Sequence, residues 1–123
     1  MSSVEYDEIR EERIEMEIIV DAYNEEEQAI SWYYYLEDKL DFPFRAKWLN
    51  KRGQFQDRKV VVLEMSPEDE CQNEMFVEVL YQEGEFEDVF SARLFDIEPV
   101  DADSETQEGI ADWHYWINRG NEL

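Results

Sequence analysis

Asp101, Asp103 and Glu105 alternate along "PVDADSETQEG", residues 99–109, as the first ligands of an EF-hand calcium loop do. Asp112 falls where such a loop would close. The template fails at two places, since its sixth position needs Gly for a sharp turn and its twelfth a bidentate Glu. Thr106 and Asp112 stand there instead, and Gly109 comes three residues late. The stretch fits the start of a helix better. Ser104 and Gln107 have capping-box spacing, and Glu105 and Glu108 put negative charge near the helix N-terminus. Ile110, Trp113 and Ile117 then recur on one helical face, with Gly120 placed to cap the end. Any cation held by these carboxylates is held in another geometry.

Further carboxylates cluster elsewhere. Glu25–Glu27 suit the start of a helix, and Glu83–Asp88 form another acidic run. Glu37, Asp38 and Asp41 lie at the far end of the same helical stretch, where negative charge opposes the helix dipole. Asp38 projects away from the apolar face set by Leu36. Glu68, Asp69 and Glu70 stand in "SPEDECQNE", a polar connection between two strand-like runs. Hard dications take six to eight oxygens from carboxylates, carbonyls and water. The candidate metal ligands are therefore Glu37, Asp38, Asp41, Glu68, Asp69, Glu70, Asp101 and Asp103. The rival reading of any one cluster is a solvated acidic face.

The whole charge balance points the same way. The chain has 33 Asp and Glu against 11 Lys and Arg, a net charge of −22. It repels nucleic acid and anionic membrane and concentrates cations, so a metal ion or a basic protein is the partner class. Clustered acids also raise one another's pKa, a penalty that a bound dication removes. One cysteine, Cys71, permits no internal disulfide and fits a reducing cytoplasm. No membrane span or signal peptide is evident, so the expectation is a soluble, cytoplasmic protein. Catalysis has little support. The one histidine, His114, sits at helical spacing in "DWHYW", and no phosphate loop or nucleophile elbow occurs.

Helices and strands must position these acids. Residues 3–40 read as helical, with Ser2 or Ser3 as a first cap and a narrow stripe of Ile9, Met16, Ile19 and Val20. Asn24 is a second N-cap, and Ala29, Trp32, Tyr33, Leu36 and Leu40 follow the helical period until Pro43. The period then becomes strand-like in "FRAKWLN", "KVVVLEM", "MFVEVLY" and "DVFSARLFDI", with a turn at "RGQ" and a bend at Ser91. These runs predict α+β: N-terminal helices, a small curled antiparallel sheet or barrel, and a C-terminal helix over 104–118.

"DFPFRAKW" at 41–48, "MFVEVLY" at 75–81 and "LFDIEPVDADSETQEGIADWHYWINRG" at 94–120 resemble the cyanobacterial CcbP family of calcium-binding proteins. The resemblance runs from about residue 23 to near the end. It implies a single calcium-binding domain over 1–123 and an SH3-like β barrel, with Ca2+ held by surface carboxylates and no EF-hand. It further implies lowering of free intracellular calcium, tied to heterocyst differentiation. The family has no short ligand motif to carry over, so the candidate residues rest on clustering. An acidic module or DNA mimic occupying a basic partner is the alternative, and an ion bridging two chains stays open.

Overall fold

The computed structural model describes residues 7–49, 58–121 and 123. Helix α1 (Glu8–Arg13) runs into a π turn (Ile14–Ile18), and helix α2 spans Glu25–Lys39. Strands β1 (Phe44–Trp48), β2 (Arg58–Met65), β3 (Phe76–Glu83), β4 (Phe86–Arg93) and β5 (Ile97–Val100) follow, and helix α3 (Ser104–Asn118) closes the order. The expected caps at Ser2 or Ser3 and the "RGQ" turn lie outside the described residues.

Local chemistry explains the helix starts. Asp7 accepts from the Arg10 amide at 3.0 Å, Asn24 from the Glu27 amide at 2.8 Å, and Asp103 from the Thr106 amide at 2.7 Å. Glu27 also accepts from the Tyr23 amide at 2.8 Å, so the first acidic run is spent on the helix itself. The cap of α3 is Asp103 rather than Ser104, one residue earlier than the capping-box spacing predicts. Gly120, at φ 96°, takes the left-handed conformation that ends α3.

The N-terminal stripe faces the other way. Ile9, Met16 and Val20 are 77%, 63% and 50% exposed, whereas Ile14 and Ile18 are buried. In the π turn the Ile19 amide donates to the Ile14 carbonyl at 3.0 Å, five residues back. Ile14 and Ile18 are themselves one helical turn apart and take the opposite side of the segment, the side that packs on the core.

The sheet is antiparallel throughout, in the order β4-β3-β2-β1-β5. The "DVFSARLFDI" run is two strands, broken by a 3-10 turn at Leu94–Asp96 rather than a bend at Ser91. That turn carries the chain from one sheet edge to the other. The expected barrel is an open sheet, because no backbone pairing joins β4 to β5 among the described residues. It is nevertheless strongly curled. Trp48 of β1 and Phe90 of β4 lie three strands apart, about 14 Å in a flat sheet, yet their ring centroids are 4.7 Å apart.

The concave face buries Phe44, Ala46, Val60, Val62, Val77, Val79 and Ile97 beneath α2 and α3. Trp32 of α2 meets Trp113 edge-on at 5.1 Å and Trp116 at 5.5 Å, which locks the two helices together. Gly109 lets them approach, since a Cβ there would sit 2.9 Å from Lys39 Cγ and 3.1 Å from Leu40 Cδ2. The end of α2 is thereby fixed against the start of α3. That contact sets the site.

Candidate metal centre

Asp41 follows the C-cap of α2, and Asp101 and Asp103 precede α3. Buried Thr106 ties the two ends together: its hydroxyl accepts from the Asp41 amide at 2.8 Å, while its own amide donates to Asp103. The three aspartates line one open pocket of about 420 Å³ with Phe44, Arg45 and Val61. Asp101 adopts φ 58°, a left-handed conformation uncommon outside glycine that Asp tolerates better than most residues. The Thr106 amide holds the Asp103 carboxyl below the usual carboxylate range, opposite to the upward shift expected of clustered acids. Arg45 Nη2 donates to Asp101 Oδ2 at 2.6 Å. A cation entering here competes with that exposed guanidinium or shares the carboxylate with it.

The remaining candidates separate. Asp38 is exposed on α2, one turn before Asp41. Glu37 lines a second pocket of about 400 Å³ with Glu64 and Glu78. Glu68 and Asp69 line a third, of about 540 Å³, with Glu25 and Glu26. The Tyr34 hydroxyl donates to Glu68 Oε1 at 2.7 Å, and this bond to a carboxylate raises the tyrosine pKa. Glu70 approaches Ser91 Oγ at 3.5 Å. Ser91 in turn donates to Glu78 Oε2 at 2.7 Å, as does buried Ser66 at 2.5 Å. Among the described residues, no three Asp, Glu, His or Cys side chains are already gathered at metal-binding distance. Of the eight acids, Asp41, Asp101 and Asp103 share one shallow pocket, Glu68 and Asp69 a second and Glu37 a third, while Asp38 and Glu70 line none of these.

Glu64 and Glu78 were not singled out from the sequence. They sit directly opposite each other on β2 and β3, a like-charge pair that costs stability unless something neutralises it. Their only sequence signal is alternation on a strand's polar face.

Asp112, the would-be closing ligand of the loop, is fully buried. Arg10 donates to it, Arg13 Nη2 at 2.7 Å and Nε at 3.2 Å, and the Tyr35 hydroxyl at 2.6 Å. Its oxygens are spent on fastening α1 to α3. His114 Nε2 lies 3.0 Å from the Leu94 carbonyl, and its ring packs 5.2 Å from Phe95. It is a packed residue, as its spacing suggests.

A family model described as calcium binding, Calci_bind_CcbP, matches residues 12–117. The chain belongs to the CcbP family. Two solved structures match over 100% of both chains. One is the crystal structure of Anabaena CcbP, 52% identical with a TM-score of 0.87. The other is a calcium-binding protein in its calcium-binding form, 53% identical with a TM-score of 0.89. Among curated proteins no significant match was found. The family is thus described by calcium binding, and among the described residues no helix is long and apolar enough to cross a membrane.

Proposed function

We propose that this CcbP-family chain is a non-EF-hand calcium buffer, a single domain that takes up Ca2+ reversibly through surface carboxylates. The observation that carries this reading is the pocket shared by Asp41, Asp101 and Asp103. A hard dication can complete its shell there with water and backbone carbonyls. Asp38, one turn away, supplies a fourth negative charge as the side chains draw in. The groups at Glu37, Glu64 and Glu78, and at Glu68, Asp69 and Glu70, are secondary acceptors of the same kind. Affinity rests on relief of repulsion between clustered acids in a chain of net charge −22. No covalent step is involved.

A cytoplasmic setting is consistent with buried, unpaired Cys71. In a filamentous cyanobacterium such a buffer lowers free calcium and so shapes differentiation of heterocysts, a role that rests on the family alone.

Calorimetric titration with calcium, with magnesium as competitor, tests the reading. Saturable uptake that prefers calcium supports it. Asp38→Asn and Asp41→Asn should each weaken uptake far more than Glu26→Gln, whose charge lies near the N-terminus of α2. Equal affinities for all three, or uptake indifferent to which dication is added, would leave only diffuse counterion attraction.

A further inference from the structure

The positive charge of this acidic chain is concentrated in one stretch of its sequence. Six of its 11 Lys and Arg lie between Arg45 and Lys59, a stretch with Asp57 as its one acid. The other five, Arg10, Arg13, Lys39, Arg93 and Arg119, all form ion pairs. Lys47 and Lys59 do not: they face each other across β1 and β2, both exposed, and make no ion pair among the described residues. Lys47 is also opposite Glu98 of β5, without an ion pair. Two unneutralised like charges in register cost the sheet stability.

Beside them runs a row that is apolar except for Arg45, which is paired with Asp101. The register aligns Val100, Arg45, Val61, Leu80 and Val89 across all five strands on the convex face. Val89 and Val100 are exposed, and Lys47, Lys59, Val61, Leu80 and Val100 line a groove of about 270 Å³. The surface is basic and apolar together.

Its complement lies on the same molecule. Ile9, Met16 and Val20 form an exposed apolar stripe flanked by exposed Glu8, Glu12, Glu15 and Glu17. Those four carboxylates also make no ion pair among the described residues.

We propose that the acidic, apolar stripe of the N-terminal helical segment in one copy docks on the basic, apolar convex sheet face of a second copy. The occupant is a second copy because both faces lack what the other has, apolar cover and opposite charge. Two different surfaces meet, so the contact is heterologous and propagates head to tail unless geometry closes it. The net charge of −22 opposes approach at low salt, but at about 0.15 M the Debye length is about 8 Å, and contact pairs survive what long-range repulsion does not. This contact needs no calcium and is independent of the ion-binding reading.

Sedimentation at about 0.15 M salt with a calcium chelator, from micromolar to near-millimolar protein, tests the proposal. The mass of the natural chain should rise with concentration. Met16→Lys and Lys59→Glu should each weaken self-association by at least about tenfold, because each sets like charge against like across the contact. Lys59→Glu also replaces a facing like-charge pair with an opposite one, so its melting temperature should hold or rise. A misfolded variant is thereby told apart from a docking-defective one. Mixing the two variants should restore a one-to-one pair, since each keeps the face the other has lost. A natural chain that stays monomeric throughout, variants that associate as it does, or a mixture that stays monomeric would each overturn the proposal.

Discussion

Replacing Asp112 with asparagine keeps the side chain's shape and removes the charge that holds α1 to α3. The carboxylate is fully buried, and Arg10, Arg13 and Tyr35 all donate to it. Breaking a buried ion pair by removing one partner costs about 3–5 kcal/mol. The two arginine side chains keep 24% and 18% exposure and so retain part of their hydration, which favours the lower end of that range. A loss of about 3 kcal/mol in a domain of this size lowers the melting temperature by roughly 10 °C. The assay is thermal unfolding followed by circular dichroism, with calcium titration of the folded variant at a lower temperature. Calcium affinity should be unchanged, because these oxygens are spent on guanidinium and phenol. A melting shift under about 3 °C, or a tenfold loss of calcium affinity, would refute a purely structural Asp112.

Three further outcomes are expected. Gly109→Ala gains about 1 kcal/mol of helix propensity but meets Lys39 and Leu40, and overpacking costs about 1–3 kcal/mol, so chemical denaturation should show net destabilisation; a gain in stability would contradict the tight α2–α3 contact. Asp103→Ala should remove the α3 cap and lower stability at neutral pH. Since the folded pKa of Asp103 is depressed, its contribution is present above the ordinary carboxylate pKa and fades as pH falls through the lowered value, so the natural chain and the variant should converge in acid unfolding curves. Calcium at a hundredfold excess over its dissociation constant should stabilise the fold by about 2.7 kcal/mol; an unchanged melting temperature at fixed ionic strength would deny binding to the folded state.

Which parts of this fold could be read in advance follows from how local their causes are. Ile110, Trp113 and Ile117 repeat at helical spacing, and α3 spans the predicted 104–118. Phe44 and Ala46 alternate with Arg45 and Lys47, and β1 buries the first pair and exposes the second. Ile14 and Ile18 fit the helical period as well as Ile9, Met16 and Val20 do, and were missed because only packing against the rest of the fold decides which of the two faces is buried. The sheet's open edge depends on where the Leu94–Asp96 turn aims the chain, a long-range matter. In the candidate site, the presence of Asp41, Asp101 and Asp103 was legible as charge, but their meeting was not. It depends on Thr106 bridging segments 65 residues apart in sequence. Glu64 and Glu78 read as two ordinary outward acids until the β2–β3 register sets them face to face.

The central claim is that calcium enters the pocket of Asp41, Asp101 and Asp103, and backbone amide chemical shifts followed through a calcium titration test it most directly. The Asp41 and Thr106 amides report on that pocket, because one bonds the Thr106 hydroxyl and the other bonds Asp103. The expected result is saturable shifts that begin at Asp41, Asp101, Asp103 and Thr106, with those near Glu64, Glu78 and Glu68 moving only at higher calcium. Shifts that begin at Glu64 and Glu78, or that spread evenly over the acidic surface while Asp41 and Thr106 stay still, would contradict it.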